Sequence, residues 1–192
     1  TDSTDINGTL IISSGSVDAN GPFDATSGAI TFSGTGNLLL GATVTSLGTL
    51  SSDNGTINYD ASGDQTIIAD AYNSLTADGS GTKTLIGGTI TVADDFTIST
   101  GVTVAMGANN LTIADTTDIE GTITIGTATL DANSVFDATG GFIIFSDDGH
   151  LNLSSTVASL GTLSSDNGTV TYDGTDQNVF ADTYHHLIIG GS

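Results

Sequence analysis

Apolar and small polar residues alternate along almost the whole chain. The alternation is clear in Leu10-x-Ile12, Ile30-x-Phe32, Ile57-x-Tyr59, Phe96-x-Ile98 and Ile123-x-Ile125. A period of two predicts β-strands with one buried face and one exposed face. The strands are short, Gly, Asn-Gly and Asp-Gly separate them, and no stretch shows the period of an amphipathic helix. We therefore predict an all-β chain with essentially no helix.

A long internal repeat underlies this pattern. The segment SLGTLSSDNGT that ends at Thr56 recurs letter for letter in the segment that ends at Thr169, so the offset in residue number is 169 − 56 = 113. Shorter matches extend the repeat on both sides of this segment, and the offset falls to 112 after Asp173. We predict a first repeat unit at residues 1–113 and a truncated second unit at residues 114–192, continuous with the first as one solenoid.

Two β architectures fit a repeat of this kind. Similar strand phrases recur about every 19–24 residues, a period typical of solenoids. This corresponds to a parallel β-solenoid (β-helix) with five or six coils per unit and about nine coils in all. Small residues suited to stacking and the absence of a linker favour the solenoid. The alternative is a tandem β-sandwich, whose hairpins would turn at Asn54-Gly55 and Asn167-Gly168.

The charge of the chain limits its partners. One Lys (Lys83), no Arg and 22 acidic residues give a net charge of −21. Nucleic acids and anionic membranes are bound through Lys and Arg, so both are excluded as partners. No apolar run approaches the length of a membrane-spanning helix, so we predict no membrane insertion. The first residues carry neither an initiator Met nor a basic segment, and we interpret them as a mature end or a fragment of a secreted chain.

Several phrases resemble a known class of proteins. These are Gly55-Thr-Ile-Asn-Tyr-Asp60, Tyr72-Asn-Ser-Leu-Thr76, Gly79-Ser-Gly-Thr-Lys-Thr-Leu85 and Phe96-Thr-Ile-Ser-Thr-Gly101. They are similar to the tandem β-strand repeats of secreted and cell-surface, adhesin-like prokaryotic proteins. The resemblance implies a parallel β-helix, an extracellular location and a role in surface attachment or fibre building. It implies no particular ligand.

Candidate chemistry is sparse. Asp147-Asp148-Gly149-His150 offers a carboxylate pair, but the equivalent positions of the first unit are Gly34-Thr35-Gly36-Asn37, so we predict a decorated turn and no enzyme. Carboxylates are hard oxygen ligands, and they make calcium the one cofactor considered. Weak calcium ligands are predicted at Asp94, Asp95, Asp147 and Asp148.

Two further patterns are interpreted as structural. His185 and His186 are adjacent on a predicted strand and should point to opposite faces, which argues against a shared metal. Thr-x-Thr pairs such as Thr122/Thr124 and Thr169/Thr171 resemble the threonine faces of ice-binding solenoids. Their spacing is irregular, so we assign them to the ordinary β preference of threonine.

The chain ends suggest self-assembly. A solenoid exposes an unpaired strand edge at each end, which invites another strand to pair. The predicted assembly edge comprises Leu187, Ile188 and Ile189 at one end and Leu10 and Ile12 at the other. We expect a head-to-tail homopolymer, or contact with neighbouring repeats of a longer chain, in an extracellular fibre or adhesin stalk. The alternative is a carbohydrate- or surface-binding adhesin module with a site on residues 82–118 or an exposed aromatic.

Overall fold

A parallel β-solenoid is the architecture of this chain. The computed structural model describes residues 2–51, 53–164 and 166–190, and within these ranges it contains 27 strands and no helix. Every strand pairing in these ranges is parallel, from β1–β4 at one end to β26–β27 at the other. The predicted solenoid of about nine coils is therefore confirmed. A sandwich is excluded because its hairpins would pair antiparallel strands.

The strands are short and follow one another closely, except that no strand is assigned between Tyr172 and His186. Those of the first repeat unit are β1 (Thr4–Asp5), β2 (Thr9–Ile12), β3 (Ser16–Ala19), β4 (Phe23–Asp24), β5 (Ala29–Phe32), β6 (Asn37–Leu40), β7 (Val44–Ser46), β8 (Thr49–Leu50), β9 (Thr56–Tyr59), β10 (Gln65–Ile68), β11 (Ala71–Tyr72), β12 (Ser74–Ala77), β13 (Gly81–Ile86), β14 (Ile90–Val92), β15 (Phe96–Ile98), β16 (Val102–Gly107) and β17 (Leu111–Ile113). Those of the second are β18 (Thr117–Ile119), β19 (Thr122–Ile125), β20 (Thr129–Ala132), β21 (Phe136–Asp137), β22 (Phe142–Phe145), β23 (His150–Leu153), β24 (Val157–Ser159), β25 (Thr162–Leu163), β26 (Thr169–Tyr172) and β27 (His186–Ile189).

The coil has three faces, with three strands to a turn except in the last turn, where β26 and β27 follow each other on one face. Face 1 carries β1, β4, β7, β10, β13, β16, β19, β22 and β25; face 2 carries β2, β5, β8, β11, β14, β17, β20, β23, β26 and β27; face 3 carries β3, β6, β9, β12, β15, β18, β21 and β24. The backbone ladder is interrupted between β7 and β10 and between β8 and β11. At the first gap, the Gln65 side-chain amide donates to the carbonyls of Leu40 (2.7 Å) and Ala42 (2.6 Å).

The repeat unit is not a whole number of coils. Strand β1 of the first unit corresponds to β18 of the second, seventeen strands later, so one unit spans five and two-thirds coils, between the five and six coils predicted. Equivalent strands of the two units therefore lie on different faces. The length of a coil also varies along the rod: Thr169 pairs with His186 in the shortest coil, and Asp137 pairs with Ser159 in one of the longest. Most of this variation lies in the corners between strands, and the rest lies in register shifts such as the one between Phe136 and Asp137.

Inward-pointing residues form one continuous core along the rod. Ile, Leu, Val and Phe of each coil stack on those of the next, as Val104, Ile123 and Ile143 do on face 1, and all three are fully buried. Parallel strands are about 4.8 Å apart, so nine coils make a rod of about 43 Å. The described residues include no helix of the length and apolarity needed to cross a membrane.

Two tyrosines are hydrogen-bonded to each other in each unit; both are buried in the first unit, whereas Tyr184 of the second is half-buried. The hydroxyls of Tyr59 and Tyr72 lie 3.0 Å apart, and the Tyr72 hydroxyl donates to the Ile68 carbonyl at 2.6 Å. Tyr172 and Tyr184 repeat the arrangement in the second unit, with the Tyr184 hydroxyl bonded to the Phe180 carbonyl. Each pair supplies a hydroxyl partner where a buried phenol would otherwise be unsatisfied.

Replacing Tyr72 by phenylalanine is expected to destabilise the rod by about 1–3 kcal/mol. The substitution leaves the buried Tyr59 hydroxyl and the Ile68 carbonyl without their shared partner, and an unsatisfied buried polar group has a cost of that order. Urea unfolding followed by circular dichroism measures the effect. The same change at the half-buried Tyr184 provides the control and should cost less; equal losses at the two sites would contradict this account.

Candidate functional site

The C-terminal strand β27 is the most exposed apolar strand end in the described chain. Leu187, Ile188 and Ile189 are 40%, 50% and 72% exposed. β27 pairs with β26 on one side, and no described strand pairs with its other edge. The equivalent strand of the first unit, β12, is paired on both sides, and its Leu75 and Ala77 are fully buried.

The opposite end of the rod differs from the sequence expectation in detail. Leu10 and Ile12 lie in β2 on the first coil, as predicted, but both point inward: Leu10 is half-buried against the core and Ile12 is buried. Ile11 points outward and is 65% exposed. The first coil therefore presents one outward apolar side chain, with the two inward ones stacked on Ile30 and Phe32 of the next coil.

Three carboxylates come together at one corner of the rod. The carboxylate oxygens of Asp94, Asp95 and Asp115 lie within 4.8 Å of one another. Asp94 also accepts a hydrogen bond from the Ser74 hydroxyl at 3.2 Å. Asp115 was not among the sequence candidates, yet a signal existed: it follows β17 as Asp94 and Asp95 follow β14, and these two strands pair in register.

The other predicted calcium ligands do not form such a group. Asp147 and Asp148 are both exposed at a corner, where the Asp147 carboxylate accepts a hydrogen bond from the Asp148 amide at 2.9 Å. In the described residues no third carboxylate or histidine joins them at metal-binding distance. His150 stands exposed at the start of β23. The local hydrogen bonding is that of an Asp-initiated turn.

The one lysine is directed into the rod. Lys83 is fully buried, and its ammonium donates to the carbonyls of Ala61 (2.7 Å), Gly63 (3.0 Å) and Ser80 (3.1 Å). Burial lowers the pKa of Lys83 because the charged form is desolvated. Since the chain has no other Lys or Arg, its exterior offers neither side chain to an anionic ligand.

The prediction for the two adjacent histidines was wrong in its geometry. The rings of His185 and His186 contact each other edge to face, with centroids 4.4 Å apart and an angle of 78° between the ring planes. Only His186 belongs to β27, and His185 precedes the strand, so the strict alternation of side chains does not apply between them.

A shallow groove lined mainly by Thr, Ser, Gln, Asn and Asp residues lies beside a glutamine side-chain bridge in each unit. In the first unit it has a volume of about 250 Å³ and is lined by Thr43, Asp64, Gln65, Thr66 and Thr84. In the second unit, a groove of about 310 Å³ is lined by Ser154, Ser155, Thr156, Val157, Thr175, Asp176, Gln177 and Asn178. Gln177 there bonds to the Ser155 carbonyl as Gln65 does to that of Ala42. The grooves thus repeat because the glutamine bridge repeats.

No protein family, curated protein or solved structure matches this chain. Function is therefore inferred from the geometry of the chain itself. Its distinguishing features are the open strand β27, the three-carboxylate corner, an exterior without Lys or Arg, and two shallow polar grooves.

Mild acid is expected to stabilise the rod. Burial raises the pKa of Asp60 and Asp70, and burial together with Glu120 and Asp137 raises that of Asp118. When a folded-state pKa exceeds the unfolded value, the folded chain takes up protons first as the pH falls. The free energy of unfolding then increases from the raised pKa down to about pH 3.9. Partial neutralisation of the net charge of −21 acts in the same direction.

Urea unfolding at pH 7, 5 and 4 measures this dependence. The midpoint should rise between pH 7 and 4, and Asp118→Asn should flatten the rise because it removes one of the titrating groups. The pKa of Asp24 is lowered by its hydrogen bonds with Thr26, so protonation of Asp24 reduces the free energy of unfolding. This opposite effect sets in only at pH values below the usual aspartate pKa. A midpoint that declines steadily below pH 7 would contradict the prediction.

Proposed function

We propose that this chain is a non-enzymatic structural subunit of an extracellular fibre or adhesin stalk, assembled by end-to-end stacking of β-strands. The observation that carries the proposal is the open edge of β27, with three apolar side chains exposed on a single four-residue strand. Exposed, flat and apolar strand edges are the sites at which β-proteins add further strands.

The first repeat unit shows what kind of strand packs on β12, the equivalent of β27. There, Leu75 and Ala77 of β12 are covered by Phe96 and Ile98 of β15, which pair with them in parallel register. The partner of β27 is thus a strand of the same alternating type. A second copy of the chain, or a neighbouring repeat of a longer chain, carries such strands. Since the two ends are different surfaces, the contact is heterologous and continues as an open filament.

Charge supports a rod that grows lengthwise. The net charge of −21 on an exterior without Lys or Arg makes sideways approach of two rods unfavourable over most of their surface. Strands β27 and β2 contain no acidic residue, so the repulsion is weaker at these two strands, although the other strands of the first coil, β1 and β3, carry Asp5 and Asp18. We place such a fibre outside the cell, where it would attach to surfaces.

Calcium enters the proposal as a stabiliser of the rod. Asp94, Asp95 and Asp115 offer hard oxygen ligands at one corner, in the middle of the rod. A bound cation there would offset the mutual repulsion of the three carboxylates. Asp147 and Asp148, at a corner nearer β27, offer two carboxylates without a third in the part of the chain that the structure describes, and they are the weaker calcium candidate.

Electron microscopy of the purified chain at rising concentration, with calcium or with chelator, tests the proposal. Filaments with an axial repeat of about 43 Å, the length of the rod, are expected. Leu187→Asp should abolish them, because it places a charge on the assembly edge. Thr124→Asp, on the outward side of β19 away from either end and paired with the uncharged Ala105 and Ile144, is the matched control and should leave them intact.

Three results discriminate between the parts of the proposal. A monodisperse monomer at high concentration would exclude end-to-end assembly. Filaments that persist in Leu187→Asp would place the contact elsewhere on the rod. Loss of filaments in chelator, restored by calcium and prevented by Asp115→Asn, would assign the three-carboxylate corner a role in assembly.

A further inference from the structure

One face of the rod has a sheet without acidic residues. Six hydrogen-bonded strands of face 1, β10, β13, β16, β19, β22 and β25, contain none of the 22 acidic residues of the chain. The long sheets of the other two faces do contain them, for example Asp131 in β20 and Asp118 in β18. Because the rest of the chain is so acidic, this sheet differs from the surrounding surface in its lack of negative charge.

Most outward side chains of this sheet form two aligned rows, and a further outward pair, Ile68 and Ile86, lies beside them at the β10 end. We call the two rows together the threonine patch. The first row is Thr82, Thr103, Thr122, Phe142 and Thr162, and the second is Thr66, Thr84, Ala105, Thr124 and Ile144. The irregular spacing of Thr-x-Thr in the sequence argued against a flat threonine face. The rows nevertheless align, because most of the variation in coil length lies in the corners and the register shift of the β16–β19 pairing comes only after Ala105, beyond both rows.

The fractional repeat creates the full extent of the patch. Strands β10, β13 and β16 belong to the first unit, whereas β19, β22 and β25 are the second-unit equivalents of β2, β5 and β8. In the first unit those three strands lie on face 2. The offset of two-thirds of a coil moves their equivalents onto face 1, where they continue the sheet. Two acid-free sheets of three strands thereby become one of six.

The chemistry of the patch indicates an uncharged partner with many hydroxyl groups. Each threonine hydroxyl both donates and accepts hydrogen bonds. Phe142 is 47% exposed and Ile144 is 38% exposed, so apolar surface interrupts the hydroxyl rows. Corner residues such as Asp64, Asp78 and Glu120 border the sheet and repel anions, and no exposed Lys or Arg offsets them.

The shape of the patch indicates an extended partner. Six strands about 4.8 Å apart give a surface about 25 Å long and two to three side chains wide. Such an area amounts to a few hundred Å², below the roughly 800 Å² per partner that a stable protein complex buries. A second copy of the chain is therefore disfavoured as the occupant, and a flat surface is unlike the concave sites that enclose small molecules.

We propose that the threonine patch binds a neutral polysaccharide in extended, surface-packed form. Threonine hydroxyls exchange hydrogen bonds with sugar hydroxyls, and the Phe142 ring lies against the C–H face of a sugar ring. An ordered ice surface fits less well, because Phe142, Ala105 and Ile144 interrupt the rows that a continuous water lattice would require. This inference adds a binding surface along the flank of the rod and does not depend on end-to-end assembly.

Sedimentation of the purified chain with insoluble cellulose and with insoluble chitin tests the proposal. We expect binding to at least one of them. Phe142→Ser and Thr122→Asp should each weaken it by about tenfold or more, the equivalent of about 1.4 kcal/mol. Thr91→Asp adds the same charge to an exposed strand position on face 2 and should bind as the unaltered chain does. Circular dichroism of each variant verifies that the rod is folded.

Several outcomes would overturn the proposal. One is the absence of sedimentation with either polysaccharide; another is equal loss of binding in Thr91→Asp and in the two patch variants. Shaping of ice crystals that Thr122→Asp abolishes would identify ordered water as the ligand instead. A dimer seen by analytical ultracentrifugation and lost in Phe142→Ser would make the patch a contact between copies.

Discussion

Replacing Ile123 by aspartate is expected to unfold the central coils of the rod. Ile123 is fully buried in β19 and stacks between Val104 of the preceding coil and Ile143 of the following one. A carboxylate at this position would be desolvated with no cationic partner, because the one buried lysine already donates to three carbonyls elsewhere. We expect a loss of about 4–5 kcal/mol or more, the range of the most disruptive single substitutions.

Thermal unfolding followed by circular dichroism measures this loss. Thr124→Asp is the matched control, since it adds the same charge one residue further along β19 on the outward side. Its melting temperature should change little, whereas Ile123→Asp should melt far lower or fail to fold. Equal melting temperatures for Ile123→Asp and the unaltered chain would contradict the inward orientation of Ile123.

Replacing Gly168 by alanine is expected to have the next largest effect. Gly168 has a φ of +77°, and a Cβ built there would overlap the ring of Phe145. Two costs therefore add: a left-handed backbone in a residue other than glycine, about 1–3 kcal/mol, and overpacking against a buried aromatic, about 1–3 kcal/mol. The same contact joins Gly55 to Phe32 in the first unit, so Gly55→Ala should behave alike.

Gly101→Ala separates the two costs. Gly101 has a φ of +83°, but a Cβ there would meet no atom within 4 Å. Its substitution should carry the backbone cost alone, so urea unfolding should show a larger loss for Gly168→Ala than for Gly101→Ala. Reducing the Phe145 ring to leucine in the Gly168→Ala background should recover part of the difference. Equal losses at the two glycines would mean that the ring moves aside freely.

Local sequence pattern was sufficient to predict the fold. The alternation in segments such as Ile123-x-Ile125 places one residue of each pair in the core, and the recurrence of strand phrases indicated about nine coils. The repeat itself did not reveal how many coils it contains, because the corners vary in length and coils of different length follow one another. Strand neighbours depend on that number, so they could not be assigned from the repeat alone.

The candidate sites were harder to predict for the same reason. Asp115 joins Asp94 and Asp95 only because β14 and β17 are adjacent in register, which a linear spacing does not disclose. The threonine rows likewise depend on register, and the Thr-x-Thr spacing in the sequence suggested the opposite. The burial of Lys83 could not be predicted from the sequence either. A lone lysine on an alternating strand is usually exposed, whereas the Lys83 side chain points into the rod.

The offset of two-thirds of a coil has a consequence for any tandem array of this repeat. In each added unit, the equivalent strands would lie one face further around the rod axis than in the unit before. Successive units of the array are therefore related by an approximate threefold screw axis. Three units make seventeen whole coils, or about 80 Å at the spacing of parallel strands. A flat polysaccharide surface alongside the rod would then face one acid-free sheet in every such period. A long rod would carry acid-free sheets on all three faces, so if the threonine patch binds polysaccharide, the rod would bind through whichever face lies against that surface.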